Sequence, residues 1–243
     1  MWFILALITI VCWGGSDLFS KIGSPAEDKL SHWKIVIAVG TVMGIHATVE
    51  LLMGAKFNPM DFIYYLPATF CYILSMILGY VGLRYVILSI SSPICNSSGA
   101  IACLLCLIFL GQMPDALSWV GIALVCVGVV GLAVVEKQYD TEAQEMLADS
   151  RNKKYKNSFI AVFFPIFYCL IDGLGTFFDA LLLDSGLLNE ESANIAYEYT
   201  FLLMAVFAFI YVVVIKKDKL SFKAERPRFA GALCETAGQF AYI

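Results

Sequence analysis

The chain begins with MWFILALITIVCWGGSDLFSK (residues 1–21), a stretch with the length of a membrane span and a polar ending. Residues 1–12 carry no charge, and the run then ends in two glycines, Asp17 and Lys21. A helix needs about 20 mostly apolar residues, each rising 1.5 Å, to cross a bilayer. The stretch therefore predicts a first transmembrane helix. We expect it to be retained, because it lacks the charged start and small-residue cleavage site of a secretory leader.

The apolar character of this stretch extends over most of the chain. Of 243 residues, 60% are hydrophobic and 15% are charged, and the mean hydropathy is +0.80. Soluble domains average about 45–50% apolar and about 25% charged residues. The composition predicts an integral protein of the lipid bilayer, and the net charge of −4 argues against a nucleic-acid partner.

Apolar runs of spanning length predict seven helices and the start of an eighth. The predicted spans are residues 2–20, 33–54, 62–83, 88–111, 117–135, 158–183 and 194–215, with an eighth from Phe229. We place a turn at residues 84–89, before Pro93, because proline is favoured in the first turn of a helix and breaks one further in. The charged residues 136–157 predict a linker.

Small residues within the spans are expected to serve packing. Gly40 and Gly44 form a G-x-x-x-G pattern, which is typical of closely packed helices. All eight cysteines lie in or beside apolar runs, and Cys103 and Cys106 are i, i+3 neighbours within one predicted helix. We interpret these thiols as packing residues rather than as disulfide partners or metal ligands.

Basic residues are distributed unevenly around the predicted spans. Lys56 alone follows an even-numbered span, whereas the other 15 of the 16 lysines and arginines follow odd-numbered ones. Basic residues in short loops mark the cytoplasmic side of a membrane protein. The distribution predicts a cytoplasmic linker and an N-terminus outside the cytoplasm.

The order of several motifs resembles the EamA-type branch of the drug/metabolite transporter superfamily. Trp13, Gly14 and Lys21 fit the opening of that family's repeat. The end of the repeat is similar to GLRYVILSISSPI (82–94), FLGQMPD (109–115) and WVGIALVCVGVVGLAVV (119–135). The resemblance covers all five spans of the first half. Gln112 stands where the family usually has Glu, and the family usually places its N-terminus in the cytoplasm, unlike the charge pattern here.

The resemblance implies an all-α fold, a polytopic helical bundle of two inverted five-span repeats. Residues 1–135 would form the first repeat, 136–157 the linker and 158–243 part of the second. About seven to eight of ten expected spans would then be present, so we expect the second repeat to be incomplete. An offset of 159 residues sets WGGSDLFSK (13–21) against DGLGTFFDA (172–180), with Gly14 opposite Gly173.

The implied function is secondary transport of small metabolites, in a cell membrane, through a central cavity that opens alternately to each side. We expect no catalytic residue, cofactor or metal. Ionisable residues within spans usually face a cavity or a partner, and a buried carboxyl group such as Asp172 favours its neutral form, which makes it a candidate for proton exchange. The candidate cavity residues are Trp13, Asp17, Ser92, Asn96, Asp172 and Glu235.

Several polar residues also have an interpretation that involves no transport. Asp17 and Lys21 have the spacing of an i, i+4 pair that closes a helix at the membrane interface. Glu50 and Glu198 lie near span ends, where a carboxylate reaches the interface, and His46, one turn before Glu50, is commonly a packing residue. Ser92 and Asn96 either line a path or bond between helices.

Two other functional classes are compatible with the sequence. A membrane-embedded enzyme acting on a lipid-like substrate would need acids, a histidine or a metal gathered at one interface, whereas the acids here are scattered along the chain. A membrane assembly subunit without transport activity is the other alternative. No phosphate loop, H-E-x-x-H or G-x-S-x-G motif is present.

Overall fold

In the computed structural model, residues 2–25, 27–82, 88–128, 131 and 163–242 are described, and they form helices and turns with no strand among them. The predicted linker at residues 136–157 lies outside these residues. The helices are α1 (Trp2–Ile22), α2 (Ser31–Leu52), α3 (Asp61–Gly82), α4 (Leu88–Cys95), α5 (Ser98–Leu105), α6 (Ala116–Gly128), α7 (Phe163–Asp184), α8 (Glu190–Phe209) and α9 (Phe222–Tyr242). Short π-helical segments extend α5 over Cys106–Leu110 and α8 over Ile210–Ile215.

Six segments of the described residues are long and apolar enough to cross a membrane. They correspond to the first four, the sixth and the seventh predicted spans, which confirms a polytopic helical membrane protein. In the region of the fifth predicted span, the structure describes the shorter apolar helix α6. Residues 129–130 and 132–135 of that predicted span lie outside the described residues. The six candidate spans are Phe3–Ile22, Ser31–Leu52, Asp61–Gly82, Pro93–Leu110, Phe163–Asp184 and Glu190–Ile215.

The predicted start of the eighth span at Phe229 is wrong. Helix α9 begins at Phe222, and its first turns include charged residues that the apolar count excluded. Glu225 and Arg228 are one turn apart and form an ion pair with each other, so charge does not prevent helix formation there. Helix α9 is long enough to span a bilayer but is not among the six segments that are apolar enough.

The fourth predicted span is not one continuous helix. Helix α4 already begins at Leu88, so Pro93 lies within it rather than at its start, and a turn at residues 96–97 separates it from α5. Proline has no N–H for the carbonyl four residues earlier, which weakens a helix around it. The Ser97 hydroxyl then donates to the Pro93 carbonyl at 2.8 Å and occupies an acceptor that a continuous helix would use.

The chain divides into two compact units. Unit 1 consists of Met1–Thr69 and Leu182–Ile243, and unit 2 of Phe70–Leu181. Unit 1 thus combines segments from before and after the charged residues 136–157. The division of the sequence into a complete and a partial repeat stays a prediction.

Helix α2 is extensively buried in unit 1, and it packs closely on α8. A Cβ atom at Gly40 would collide with the backbone carbonyl of Phe201, and one at Gly44 would lie 2.7 Å from the side chain of Leu202. The G-x-x-x-G pattern therefore serves the close helix packing that its spacing predicts.

Helices α1 and α9 form an antiparallel pair in unit 1. Thr9 donates to the Gly238 carbonyl at 3.3 Å near one end of the pair. At the other end, Gly23 lies against Arg228. Between these points, a Cβ atom at Gly231 would lie 3.3 Å from the Ser16 carbonyl, so the two helices also approach closely there.

A buried arginine joins three parts of unit 1 at this second end. Arg228 of α9 is 1% exposed, and it donates to the Gly23 carbonyl at 2.8 Å, to Glu225 at 2.5 Å and to Asp28 at 2.7 Å. Lys34 of α2 lies 2.9 Å from both Asp28 and Asp218. Because every charge has an opposite neighbour, the cluster ties α1, α2 and α9 together without leaving a buried charge unpaired.

Unit 2 is organised around the antiparallel packing of α3 and α7. Tyr72 donates to Thr176 at 3.3 Å, and Gly79 lies against the ring of Tyr168. Helix α5 also contacts α7, because a Cβ atom at Gly173 would lie 2.8 Å from Ile101. Gly14, which the sequence offset pairs with Gly173, has no atom within 4 Å of its Cβ position, so the two glycines have different surroundings.

The close approach of α2 and α8 predicts that Gly40→Ala destabilises the protein. The new methyl group meets the fixed backbone of Phe201, and we expect a loss of about 1–3 kcal/mol, as for an overpacked core. Gly14→Ala is the matched control, because its Cβ meets open space and alanine favours a helix by up to about 1 kcal/mol. Thermal unfolding in detergent measures both, and equal midpoints for the two variants would contradict the packing argument.

The ionic cluster predicts an acid-sensitive component of stability. Burial alone raises the pKa of Asp28, but hydrogen bonds from Lys34, the Leu30 N–H and Arg228 outweigh it, so the pKa lies below its ordinary 3.8. A lowered carboxyl pKa stabilises the fold above its unfolded value, and this contribution is lost as the pH falls through the folded value.

We therefore expect Asp28→Asn to destabilise the protein near neutral pH by about 1–3 kcal/mol, since it removes a charged acceptor from Arg228 and Lys34. The difference from wild type should shrink below pH 3.8. Asp184→Asn at the exposed end of α7 is the control. Unfolding midpoints measured across this pH range test the expectation, and a difference that is independent of pH contradicts it.

Candidate functional site

Asp172 lies near the middle of α7 in unit 2, as its position in the sequence predicts. Its carboxylate accepts a hydrogen bond from the Ser75 hydroxyl of α3 at 3.1 Å and another from Ser98 of α5. Within the described residues, no lysine, arginine or histidine forms an ion pair with it. Three helices thus converge on a carboxyl group that is held by hydroxyl groups alone.

The other five predicted cavity residues fall into both units. Trp13 lies against Gly238 and Tyr242 of α9, with its ring 5.3 Å from that of Tyr242 between centroids. Asp17 of α1 and Glu235 of α9 are half-buried, also in unit 1. Asn96 is exposed in the turn after α4 in unit 2, and the side chain of Ser92 lies outside the described residues. The structure does not gather the six candidates within one unit.

A second polar cluster lies in unit 1, where α2 meets α8. The His46 Nδ1 is 3.0 Å from both carboxylate oxygens of Glu198. The same nitrogen is 3.9 Å from Glu50 Oε2, and Asn194 Nδ2 is 3.5 Å from that oxygen. We call these four residues the α2–α8 polar cluster.

The cluster consists of two helical pairs that face each other. His46 and Glu50 are four residues apart on α2, and Asn194 and Glu198 are four residues apart on α8. Residues at this spacing project from the same face of a helix. The ring of Phe240 from α9 packs edge-on against His46, with centroids 5.2 Å apart.

Glu198 is buried within the protein, so its side chain does not reach the surface as an interfacial carboxylate would. Helix α8 begins at Glu190, four residues earlier than predicted, so Glu198 lies two turns inside the helix, and its side chain is 0% exposed. Glu50 keeps partial exposure, at 20% of its side chain. The signal that was missed is the matched i, i+4 spacing in two apolar helices, although no single sequence shows that these two helices are neighbours.

The two polar groups have different chemical capabilities. Asp172 offers one carboxyl group with hydroxyl partners, which suits uptake and release of a proton. The α2–α8 polar cluster offers an imidazole nitrogen and two carboxylates whose ligand atoms lie within 4.8 Å of one another, which suits either proton sharing or cation binding. It is the one such group of histidine, cysteine and acidic residues found in the described part of the chain.

The profile of the EamA-like transporter family matches residues 1–134, more than half of the chain. The chain belongs to this family. The match covers the segment in which the sequence motifs lie, and with the six candidate spans it identifies a membrane protein of the drug/metabolite transporter type. No curated protein and no solved structure matches the chain.

Two motif residues of the EamA-like family can be placed in the structure. Trp13 packs over Gly238, where a Cβ atom would collide with the indole ring, so the motif tryptophan occupies a groove on α9. Gln112, at the position where the family usually has Glu, is exposed just after the π-helical end of α5. All eight cysteines are free thiols, as their positions in apolar helices predict.

The burial of Glu198 predicts a strong dependence of stability on His46. His46→Ala removes the hydrogen-bond partner of a fully buried carboxylate and should destabilise the protein by about 3 kcal/mol. The measurement is made in a buffer with a chelator, so that no metal ion replaces the imidazole as partner of Glu198. Adding Glu198→Gln removes the unpaired charge, so the double variant should recover part of this loss. Unfolding midpoints of the four proteins form a double-mutant cycle, and strictly additive losses would show that the two side chains do not interact.

Proposed function

We propose that this EamA-like protein is a secondary carrier of small metabolites, such as amino acids or sugars, and that Asp172 exchanges a proton during transport. Family membership supports transport in general. The coupling proposal rests on the single observation that a mid-helix carboxyl group has only hydroxyl partners among the described residues.

The surroundings of Asp172 suit reversible protonation. A charged carboxylate in an apolar setting is costly unless a cation neutralises it, and a neutral carboxyl group can keep a hydrogen bond to Ser75 as donor or acceptor. Since Ser75 and Ser98 come from two other helices, a change of protonation would alter contacts of α7 with both. This is the kind of local change that could bias a carrier between two arrangements.

Alternating access around a cavity between two inverted repeats is the mechanism that the family resemblance implies for this proposal. The chain would reside in a cell membrane with its basic loops on the cytoplasmic side. The expected partners are a small metabolite and the bilayer, with protons as the coupling ion and no enzymatic activity or organic cofactor.

A membrane-embedded enzyme acting on a lipid-like substrate is the second candidate function. The α2–α8 polar cluster favours it, because a histidine and two acids lie together close to one end of α2 and near the start of α8. Membership in a transporter family favours transport instead. Substrate-driven counterflow in proteoliposomes separates the two functions, because an enzyme would convert the lipid without moving a solute across the bilayer.

The coupling proposal predicts that Asp172→Asn abolishes proton-driven accumulation. We expect a loss of at least about tenfold in flux driven by a pH gradient, because asparagine cannot exchange a proton. Counterflow of the same solute should continue, since it needs no net proton movement. A panel of radiolabelled amino acids and sugars in proteoliposomes supplies the solutes.

Asp184→Asn, the same change at the exposed end of the same helix, is the control and should behave like wild type. Unchanged pH-dependent flux in Asp172→Asn would overturn the coupling role of Asp172. Absence of counterflow for the whole panel in the wild type would count against transport of these solute classes.

A further inference from the structure

We propose that the α2–α8 polar cluster is a binding site for one divalent cation of the first transition row, with Zn²⁺ as the best match. The ligands would be the His46 imidazole, the Glu50 and Glu198 carboxylates and the Asn194 side-chain oxygen. This proposal does not depend on transport, because the site joins two helices of unit 1 and does not involve Asp172.

The spacing of the ligand atoms fits such an ion. Nδ1 of His46 lies 3.0 Å from the Glu198 oxygens and 3.9 Å from Glu50 Oε2, and the ligand atoms of all three residues lie within 4.8 Å of one another. Ligands at about 2.0–2.2 Å from a tetrahedral ion are about 3.4 Å apart. Small side-chain rotations therefore suffice to place an ion among these atoms.

Asn194 supplies an independent observation. It is 4% exposed, and its Oδ1 is buried without a hydrogen-bond partner, while its Nδ2 faces Glu50. A buried amide oxygen without a donor costs about 1–3 kcal/mol. Turning the amide would aim Oδ1 at a carboxylate oxygen, which is also an acceptor, so no orientation satisfies both ends. With the amide turned so that Oδ1 faces Glu50, a cation beside Glu50 would be a partner for this oxygen.

The charge of the cluster also calls for a cation. Two carboxylates converge on one imidazole, and in the described residues neither forms an ion pair with a lysine or arginine. Glu198 has no exposed side-chain surface, so water cannot screen its charge. A divalent ion would neutralise both carboxylates at once.

The nature of the donors discriminates among metals. Ca²⁺ and Mg²⁺ favour sites built from oxygen alone, whereas an imidazole together with carboxylates suits Zn²⁺ and its neighbours in the transition row. Metal sites in helical bundles are built from inward-projecting side chains on facing helices, including pairs about one turn apart on the same helix. Here the close contact at Gly40 and Gly44 sets the distance between the two helices.

An ion can reach the cluster from one end of the helices. Glu50 lies two residues before the end of α2 at Leu52, and Asn194 lies in the second turn of α8. The side chains of His46 and Glu50 are 28% and 20% exposed, whereas Glu198 closes the inner side of the cluster. The two partly exposed side chains would give an ion access near the end that carries Lys56, which the charge distribution predicts to lie outside the cytoplasm.

Zn²⁺ binding to the full chain in detergent, after treatment with a chelator, tests the proposal. Calorimetry should show one saturable equivalent in the wild type, and Zn²⁺ should raise the thermal unfolding midpoint, because the ion binds only the folded arrangement of α2 and α8. Glu198→Gln and His46→Asn should each weaken binding at least about tenfold and remove the thermal shift.

Matched controls and a spectroscopic probe complete the test. Glu191→Gln changes an exposed carboxylate on α8, and His32→Asn changes the other histidine of the chain, and both should bind Zn²⁺ like wild type. Co²⁺ in place of Zn²⁺ reports the ligand type, and its spectrum should lack the charge-transfer bands of thiolate ligands. This matters because the chain has eight free thiols.

The partly exposed Glu50→Gln serves as a second variant if Glu198→Gln does not fold. Undiminished Zn²⁺ affinity in Glu50→Gln and His46→Asn, thiolate bands in the Co²⁺ spectrum, or no saturable Zn²⁺ binding by the wild type would each overturn the proposal. None of these readouts requires transport, so failure here is distinguishable from failure of the carrier hypothesis.

Discussion

The close approach of α2 and α8 is the constraint on which the polar organisation of unit 1 depends. Glycine at positions 40 and 44 lets α2 lie directly on the backbone at Phe201 and on Leu202 of α8. Because the helices touch there, His46, two residues beyond Gly44 on α2, meets Glu198 of α8 at hydrogen-bond distance. A larger residue at Gly40 would separate the helices and disperse the α2–α8 polar cluster.

Within the described residues, charged side chains are accommodated in three different ways. Around Arg228, every charge has an opposite neighbour, so the cluster is suited to holding helices in place. Around Glu198, two carboxylates share one imidazole, and a buried amide oxygen lacks a donor, which leaves the group incomplete. Among the residues that the structure describes, Asp172 has hydroxyl partners alone. Since an uncompensated charge is costly away from water, the incomplete groups are the places where a cation or a proton is expected to act.

Much of the fold was predictable because apolar runs of spanning length are a strong local signal. The helices over residues 2–22, 31–52, 61–82 and 190–215 lie within a few residues of their predicted bounds, and α7 ends at Asp184, next to its predicted end; its predicted start at residue 158 lies outside the described residues. The errors have local causes: charged residues that pair with each other start α9 before Phe229, and Pro93 falls within α4 rather than at its start. Helix α8 begins before the apolar run at residue 194, because the Asn189 side chain caps it by accepting a hydrogen bond from the Ser192 N–H.

The sequence alone determined that this is a helical membrane protein. Each residue contributes its own free energy of transfer from water to lipid, so composition and the length of apolar runs are enough to identify the spans. The sequence also determined the family, because the motifs of the EamA-type repeat are present in order in the first half of the chain. Only the tertiary structure decided which polar residues meet. His46 and Glu198 are 152 positions apart, and their encounter depends on which helices are neighbours and how each is rotated. The sequences of nearly uniform apolar helices say little about which face meets a neighbouring helix, because the lipid and the interior of the helical bundle accept the same apolar side chains.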